Sequence, residues 1–450
     1  SVLDSTHPDA VQEMKDQYDP KETLYIVSTK SGGTVETISF MKSFYNYVLT
    51  EVGISNVGEH FTAITDPGSG LESMAKDLNF RKIFINDPNI GGRYSALSLF
   101  GIVPAALIGI DIRSLFAEVE KTISHSKEEE NTIAQLGVAM GVLAEEGIDK
   151  LTYIISDKLK PIGAWVEQLI AESTGKEGKG ILPIENEEIL TPTEYSKDRV
   201  FVYLHLENDD KYLDQINLLK DNDFPVFEIV VNDVIELGAE FFRWELATAI
   251  ASWVIDIQPF DQPNVESAKI IARKMMSDYL ENGKLNELDP ALTEDQIKVY
   301  GDINCENVAG TLPEYLQSVV EDKSYVSIQA YVKMDEETDE VLQALRTKIQ
   351  KKYKVATTVG FGPRFLHSTG QLHKGDSGNG LFIQILSKGK TDVDIPDEAG
   401  KEESSITFGV LVESQALGDR QALLDNSRKV IRYDISKNIK EDLLKISAQI

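Results

Sequence analysis

Six short apolar runs punctuate the first half of the chain: LYIVS (24–28), FTAIT (61–65), KIFIN (82–86), LTYIIS (151–156), VFVYLHL (200–206) and PVFEIVV (225–231). Turn-forming residues bound them, and amphipathic stretches of about ten residues or more follow several of them. A strand that is apolar on both faces must be covered on both, and helices returning between parallel strands do this. The pattern therefore predicts an α/β fold with parallel sheets. Residues 112–149 have helical periodicity with a polar stripe and no strand, and are predicted to link two sheet domains. ENGKLNELDP (281–290) breaks the pattern with Gly, Asn and Pro. Beyond it, SYVSIQAYV (324–332), a helix around 336–351, ATTVGF (356–361) and NGLFIQIL (379–386) predict a third α/β unit, while KTDVDIPDEAGKEESS (390–405) reads as a solvated loop. The division is 1–149, 150–285 and 286–450.

Composition removes several function classes. The 450 residues carry 45 Lys and Arg against 74 Asp and Glu, and a net charge of −29 opposes the phosphate contacts that dominate nucleic-acid affinity. No apolar stretch approaches bilayer-spanning length, and the single cysteine, Cys305, has no internal partner for a disulfide. The expectation is a cytoplasmic protein with neither nucleic-acid nor membrane partners. The opening SVLDSTHPDA has no initiator methionine and no charged-then-apolar signal pattern, so the chain reads as a piece of something longer.

Four stretches carry candidate chemistry. In LYIVSTKSGGTVETISF (24–40), a buried strand runs through a Ser/Thr/Gly loop into a helix beginning near Thr34. Hydroxyls and backbone N–H groups at a helix N-terminus suit a phosphate, and the one basic residue, Lys30, suits a single phosphate. A capped αβ turn reads equally well from these residues alone. In GGRYSALSLFG (91–101), Gly91 and Gly92 remove side chains where backbone approaches another group, and Arg93 projects where open α/β sheets place ligands. An arginine that caps a helix or pairs with a surface carboxylate is the alternative. Glu172, in WVEQLIAESTGKEGKGILP (165–183), falls near the end of a helix read over 164–173, with a surface glutamate as its alternative. In QPFDQPNVESAK (258–269), a helix opened by Pro263 puts Lys269 nearly two turns in, where a solvated helix lysine is also common.

The loop 24–40 resembles the phosphate loop of the sugar isomerase (SIS) domain. GGRYSALS and QPFDQPNVESAK resemble the first and second signatures of the phosphoglucose isomerase (glucose-6-phosphate isomerase) family, and WVEQLIAESTGKEGKGILP resembles its catalytic-glutamate segment. GAEFFRWELATAIASW, GFGPRFLHSTGQLHKG (360–375) and FGVLVESQALGDRQALL (408–424) resemble the isomerase half of bifunctional transaldolase/phosphoglucose isomerases, over essentially the whole chain. The resemblance implies two flavodoxin-like, doubly wound SIS subdomains plus a C-terminal α/β unit. It also implies an upstream transaldolase domain and a first SIS subdomain that lacks its glycine-rich βα unit.

What the resemblance implies chemically is interconversion of glucose 6-phosphate and fructose 6-phosphate by ring opening and proton transfer through a cis-enediolate. Glu172 is then the base, which works best if burial raises its pKa, and Arg93 the fixed charge that stabilises the enediolate. Lys269 assists ring opening or contacts a substrate oxygen, and Gln262 and Gly92 contact substrate. Thr29, Ser31 and Thr34 give the phosphate hydroxyls, beside Lys30. His367, in LHSTGQ, is the ring-opening histidine with His373 in reserve, and His205 reads as a sheet residue. The histidine segment follows Lys269 here, whereas it precedes the lysine in stand-alone isomerases. There it comes from a neighbouring subunit, so a later domain or another chain of a homo-oligomer both stand open as its source. Neither metal nor organic cofactor is called for. The alternatives carried are another sugar-phosphate isomerase, for example a mannose-accepting one, and a non-catalytic SIS module that binds sugar phosphate.

Overall fold

The computed structural model describes residues 1–285 and 288–450. Two compact units result, the first formed by Ser1–Arg113, Arg273–Leu285 and Gly389–Ser414, the second by the rest of the chain. The fold is mixed α/β with parallel sheets, as the apolar runs predict.

In the first unit, strands Tyr25–Ser28, Phe61–Thr65 and Lys82–Ile85 form a parallel sheet in that order. All five residues of the central strand are buried, while both edge strands expose part of their length, which is why FTAIT is the most uniformly apolar of the three. Helix Val35–Val52 lays Met41, Phe44, Tyr45 and Val48 into the core with Phe61 and Ala63.

The segment 390–405 is largely an exposed loop, as expected, but it is anchored. Val393 and Ile395 belong to this same core, and Asp394–Ile395 pairs antiparallel with Ile406–Thr407. Lys42 Nζ donates to the Asp397 carbonyl at 2.6 Å, and Gly400 N to Asn46 Oδ1 at 2.7 Å. Of its charged residues only Asp394 lies in the strand, on the exposed side.

The second unit holds two sheets. Strands Leu182–Ile184, Lys150–Ile155, Arg199–Leu206 and Val226–Val231 lie parallel in that spatial order. In chain order this is 2-1-3-4, the flavodoxin-like arrangement. The other sheet runs Ala356–Phe361, Tyr325–Tyr331, Gly380–Ser387, Lys429–Ile435, Ile297–Tyr300, Leu292–Glu294. Its first four strands are parallel, and the last two form an antiparallel hairpin turning at Asp295, whose φ is 53°. The stretch 112–149 is two helices, Ile112–His125 and Thr132–Glu145. The second packs against Leu237–Val254 so closely that a Cβ on Gly137 would come within 2.6 Å of the Ala247 carbonyl.

Candidate active site

Within the first unit, the phosphate-loop candidates sit at the carboxyl edge of the sheet, directly after Tyr25–Ser28. Thr34 is the N-cap residue of Val35–Val52 and its side chain caps no backbone N–H; instead the Thr29 and Thr34 hydroxyls bond each other at 2.9 Å. Gly32 takes φ +69°, and a Cβ there would lie 2.5 Å from Leu71 N. Only glycine lets the loop fold onto the start of helix Gly70–Asp77. Ser31 Oγ accepts from Gly33 N at 3.3 Å. Lys30 Nζ is already engaged, in an ion pair with Asp66 and a 2.9 Å bond to the Pro88 carbonyl.

Arg93 lies in the single turn Gly92–Tyr94, 6% exposed, its guanidinium 6.0 Å from the Tyr94 ring centre. The preceding glycines do not serve close approach within the protein. A Cβ on Gly92 would meet nothing within 4 Å, and one on Gly91 only the Tyr94 ring at 3.7 Å. The space beside Gly92 is open, which leaves room for another group to approach the backbone there. Asn86 Oδ1 accepts from Leu99 N at 3.1 Å, tying the end of the third strand to the helix that follows Arg93.

Within the second unit, Glu172 sits near the end of helix Pro161–Thr174, 8% exposed. Because this helix returns antiparallel to the strands it joins, Glu172 lies at the amino edge of its sheet, opposite to the edge that open α/β sheets usually give to ligands. Gln168, one turn earlier on the same face, was not singled out in the sequence although i to i+4 spacing pointed to it. Its Nε2 donates to Glu172 Oε2 at 3.3 Å and to the His367 carbonyl at 2.7 Å, across 199 residues of sequence. Glu172 and the segment of the candidate His367 are thereby brought together, His367 lying half-buried in the turn Arg364–His367.

Three distant segments meet behind Glu172. Gln371, fully buried, donates from Nε2 to the Gly175 carbonyl at 2.9 Å and to Asn264 Oδ1 at 2.7 Å, and accepts from Asn264 N at 2.8 Å. Lys176, 1% exposed, donates to the Gln258 carbonyl at 2.7 Å and pairs with Asp261 at 2.9 Å. A Cβ on Gly175 would stand 2.3 Å from Leu372 Cα. These ties hold the stretch 258–264, which carries the exposed Gln262, against the turn after Glu172. The next helix begins at Val265 and not at Pro263, so Lys269 lies little more than one turn in, partly exposed.

A carboxyl strongly displaced in pKa is a neighbour of the expected one. Burial, reinforced by the Glu185 carboxylate and opposed by Arg364 and Arg346, pushes Glu167 up to about 8, with Ser368 Oγ 3.5 Å away. His373 is 1% exposed; burial and then the nearby charges of Lys374 and Arg428 hold its pKa well below the usual histidine range. Its ring contacts are Ser327 Oγ at 3.5 Å and Gln329 Nε2 at 3.3 Å, which suit a neutral core histidine better than a proton shuttle. His205 is a sheet residue, stacked 4.1 Å from Tyr203. Among the described residues no group of three or more His, Cys, Asp or Glu side chains is placed to hold a metal ion, and no helix is long and apolar enough to cross a membrane.

Comparison with known proteins covers this same ground. Residues 1–184 match the family model for phosphoglucose isomerase. The glucose-6-phosphate isomerase of Mycoplasmopsis pulmonis is 28% identical over 286 residues, 54% of this chain and 67% of that protein. The probable glucose-6-phosphate isomerase of Methanococcus maripaludis is 27% identical over 314 residues, 61% of this chain and 70% of its own. Among solved structures, a hypothetical protein from Thermus thermophilus superposes with a TM-score of 0.55 at 21% identity, covering 60% of this chain and 76% of that one. A glucose-6-phosphate isomerase from Chlamydia trachomatis gives 0.51 at 20% identity, covering 62% and 63%. About 60% of the chain shares the fold of these structures, and the match to the phosphoglucose isomerase model is confined to residues 1–184.

Proposed function

We propose, from that homology, that the chain is an aldose–ketose isomerase interconverting glucose 6-phosphate and fructose 6-phosphate. The observation that carries the reading is the Gln168 amide, which joins the Glu172 carboxylate to the His367 carbonyl. A base that shuttles one proton between C2 and C1 and a histidine that moves the ring proton must work on one substrate, and this contact keeps their segments together.

In the proposed reaction, His367 and Lys269 handle the ring oxygen and its proton while the ring opens. Glu172 then takes the C2 proton and returns it to C1. Its low exposure keeps water from competing for that proton. The enediolate charge falls to Arg93, whose guanidinium stays protonated throughout. Thr29, Ser31, Thr34 and Lys30 hold the phosphate, the first and third by exchanging their mutual hydroxyl bond for bonds to it. Gln262 and the open space beside Gly92 receive the sugar hydroxyls.

The finer reading includes residues 1–149 and 150–285 as SIS subdomains, a fused transaldolase partner in the parent chain, a cytoplasmic setting and a homo-oligomer. The GFGPRFLHSTGQLHKG and FGVLVESQALGDRQALL stretches support the fused branch. A coupled assay for glucose 6-phosphate formed from fructose 6-phosphate tests the activity. Glu172→Gln is expected to lower kcat at least ~1,000-fold, on the order of what a catalytic base contributes, with sugar-phosphate binding retained. A Glu172→Gln protein that turns over normally removes the assignment.

A further inference from the structure

The C-terminal part of helix Phe408–Asp425, the hairpin strand Ile297–Tyr300 and the start of strand Lys429–Ile435 border a cavity of about 840 Å³. It belongs to the second unit and is lined by none of the isomerase candidates. Arg420, Lys429 and Tyr300 are among its lining residues, as are the exposed carboxylates of Asp289 and Asp302. Among the described residues, Arg420 Nε is buried without a hydrogen-bond partner, and so is Nη1 of Arg432, a residue 2% exposed. Arg432 is otherwise firmly held. Its Nε and Nη2 fork onto Asp434 at 2.6 and 2.9 Å, and its guanidinium lies 5.1 Å from the centre of the Tyr300 ring. Burial and then the Arg432 charge lower the pKa of Arg420, opposed by the Asp434 carboxylate.

A buried guanidinium N–H with no acceptor is costly, and a natural chain keeps one where a ligand completes it. Arg420, with its free Nε donor, and Lys429 on the same lining call for an anion. A phosphate oxygen set matches the guanidinium fork in shape and charge. The cavity is far larger than a bare phosphate needs and falls within the ~300–1,000 Å³ of small-molecule sites. Asp289 and Asp302 accept hydrogen bonds from hydroxyls and repel additional phosphates, which disfavours nucleoside di- and triphosphates. We propose that this cavity is a second ligand site that takes the monophosphate ester of a polyol, its phosphate on Arg420 and Lys429 and its hydroxyls towards Asp289 and Asp302.

The test is crystallographic, with sodium tungstate soaked into the whole chain and located by anomalous scattering. Tungstate is expected beside Arg420, and Arg420→Met is expected to cut its occupancy there at least tenfold while the KM for glucose 6-phosphate stays within twofold. Ribose 5-phosphate should displace the cavity tungstate at a concentration at least tenfold below that required of inorganic phosphate. A cavity that takes up no tungstate while the 29–34 loop does overturns the proposal. Equal displacement by the ester and by inorganic phosphate overturns the polyol assignment. Should Arg420→Met not fold, Lys429→Met and the wild-type map carry the same decision.

Discussion

At the scale of single residues, the second unit is stiffened by charges that are paired out of water. Lys374 and Asp419 meet at 2.6 Å with side chains 1% and 0% exposed. Removing one partner strands the other, so Asp419→Leu is expected to cost about 3–5 kcal/mol in urea unfolding, while Lys374→Met with Asp419→Leu recovers most of the loss. Glu167 behaves differently because burial, reinforced by the Glu185 carboxylate, raises its pKa to about 8 against a usual value near 4.5. A carboxyl whose folded pKa is raised gives stability that is fully present below the unfolded pKa and lost as pH rises through the folded one. Wild-type stability should therefore decline through this group between about pH 4.5 and 8. Glu167→Gln, which cannot ionise, should match the wild-type Tm at about pH 4.5 and exceed it at about pH 8 in scanning calorimetry. A Tm difference that is the same at both pH values removes the assignment of that slope to Glu167.

At the scale of elements, the second unit's candidate residues meet at a junction of three segments: the helix end at Gly175, the stretch 258–264 and the turn-and-helix 364–375. Gln371 satisfies groups on the other two, and Gly175 leaves room for Leu372. Gln371→Leu is expected to leave the Gly175 carbonyl and the Asn264 amide without their bonds, at about 1–3 kcal/mol for each buried group. Isomerase kcat should fall with it, because the helix that carries Lys269 starts from the segment this side chain holds. Unchanged stability and kcat in Gln371→Leu would show that the junction carries neither. Much of this junction was legible in the sequence as separate motifs. The glutamate helix, its end at Gly175 and the histidine turn come from spacing and family resemblance. Gln371 was not picked out, because its partners lie far away in sequence and such a bond leaves no periodic trace, whereas Gln168 was passed over although its i to i+4 spacing from Glu172 marks it. The later start of the Lys269 helix has a local cause. Asn264 N is bonded to Gln371 Oε1, so Pro263 and Asn264 belong to the clamp and not to the first turn.

At the scale of the whole molecule, the α/β class was legible because central parallel strands are apolar on both faces and stand out as unbroken runs. The composition of each unit was not. The first unit takes Val393 and Ile395 from a stretch whose charged residues outnumber its apolar ones, and only the alternation in VDI marked it as a strand. Val393→Asp is expected to destabilise that unit by about 3 kcal/mol or more, since it buries an unpaired carboxylate. In calorimetry this should lower or split the unfolding transition, and an unaltered trace would return the segment to the surface. The same interleaving has a consequence in time. The first core is finished by residues up to Ser414, and the second by the strand Lys429–Ile435, which lies between Gly380–Ser387 and Ile297–Tyr300. At a synthesis rate of about 5–20 residues per second, the early strands wait on the order of tens of seconds for the segments that close them. Neither core can close early on the ribosome, and the early strands of both are exposed to chaperones and proteases until residues near 414 and 435 have emerged.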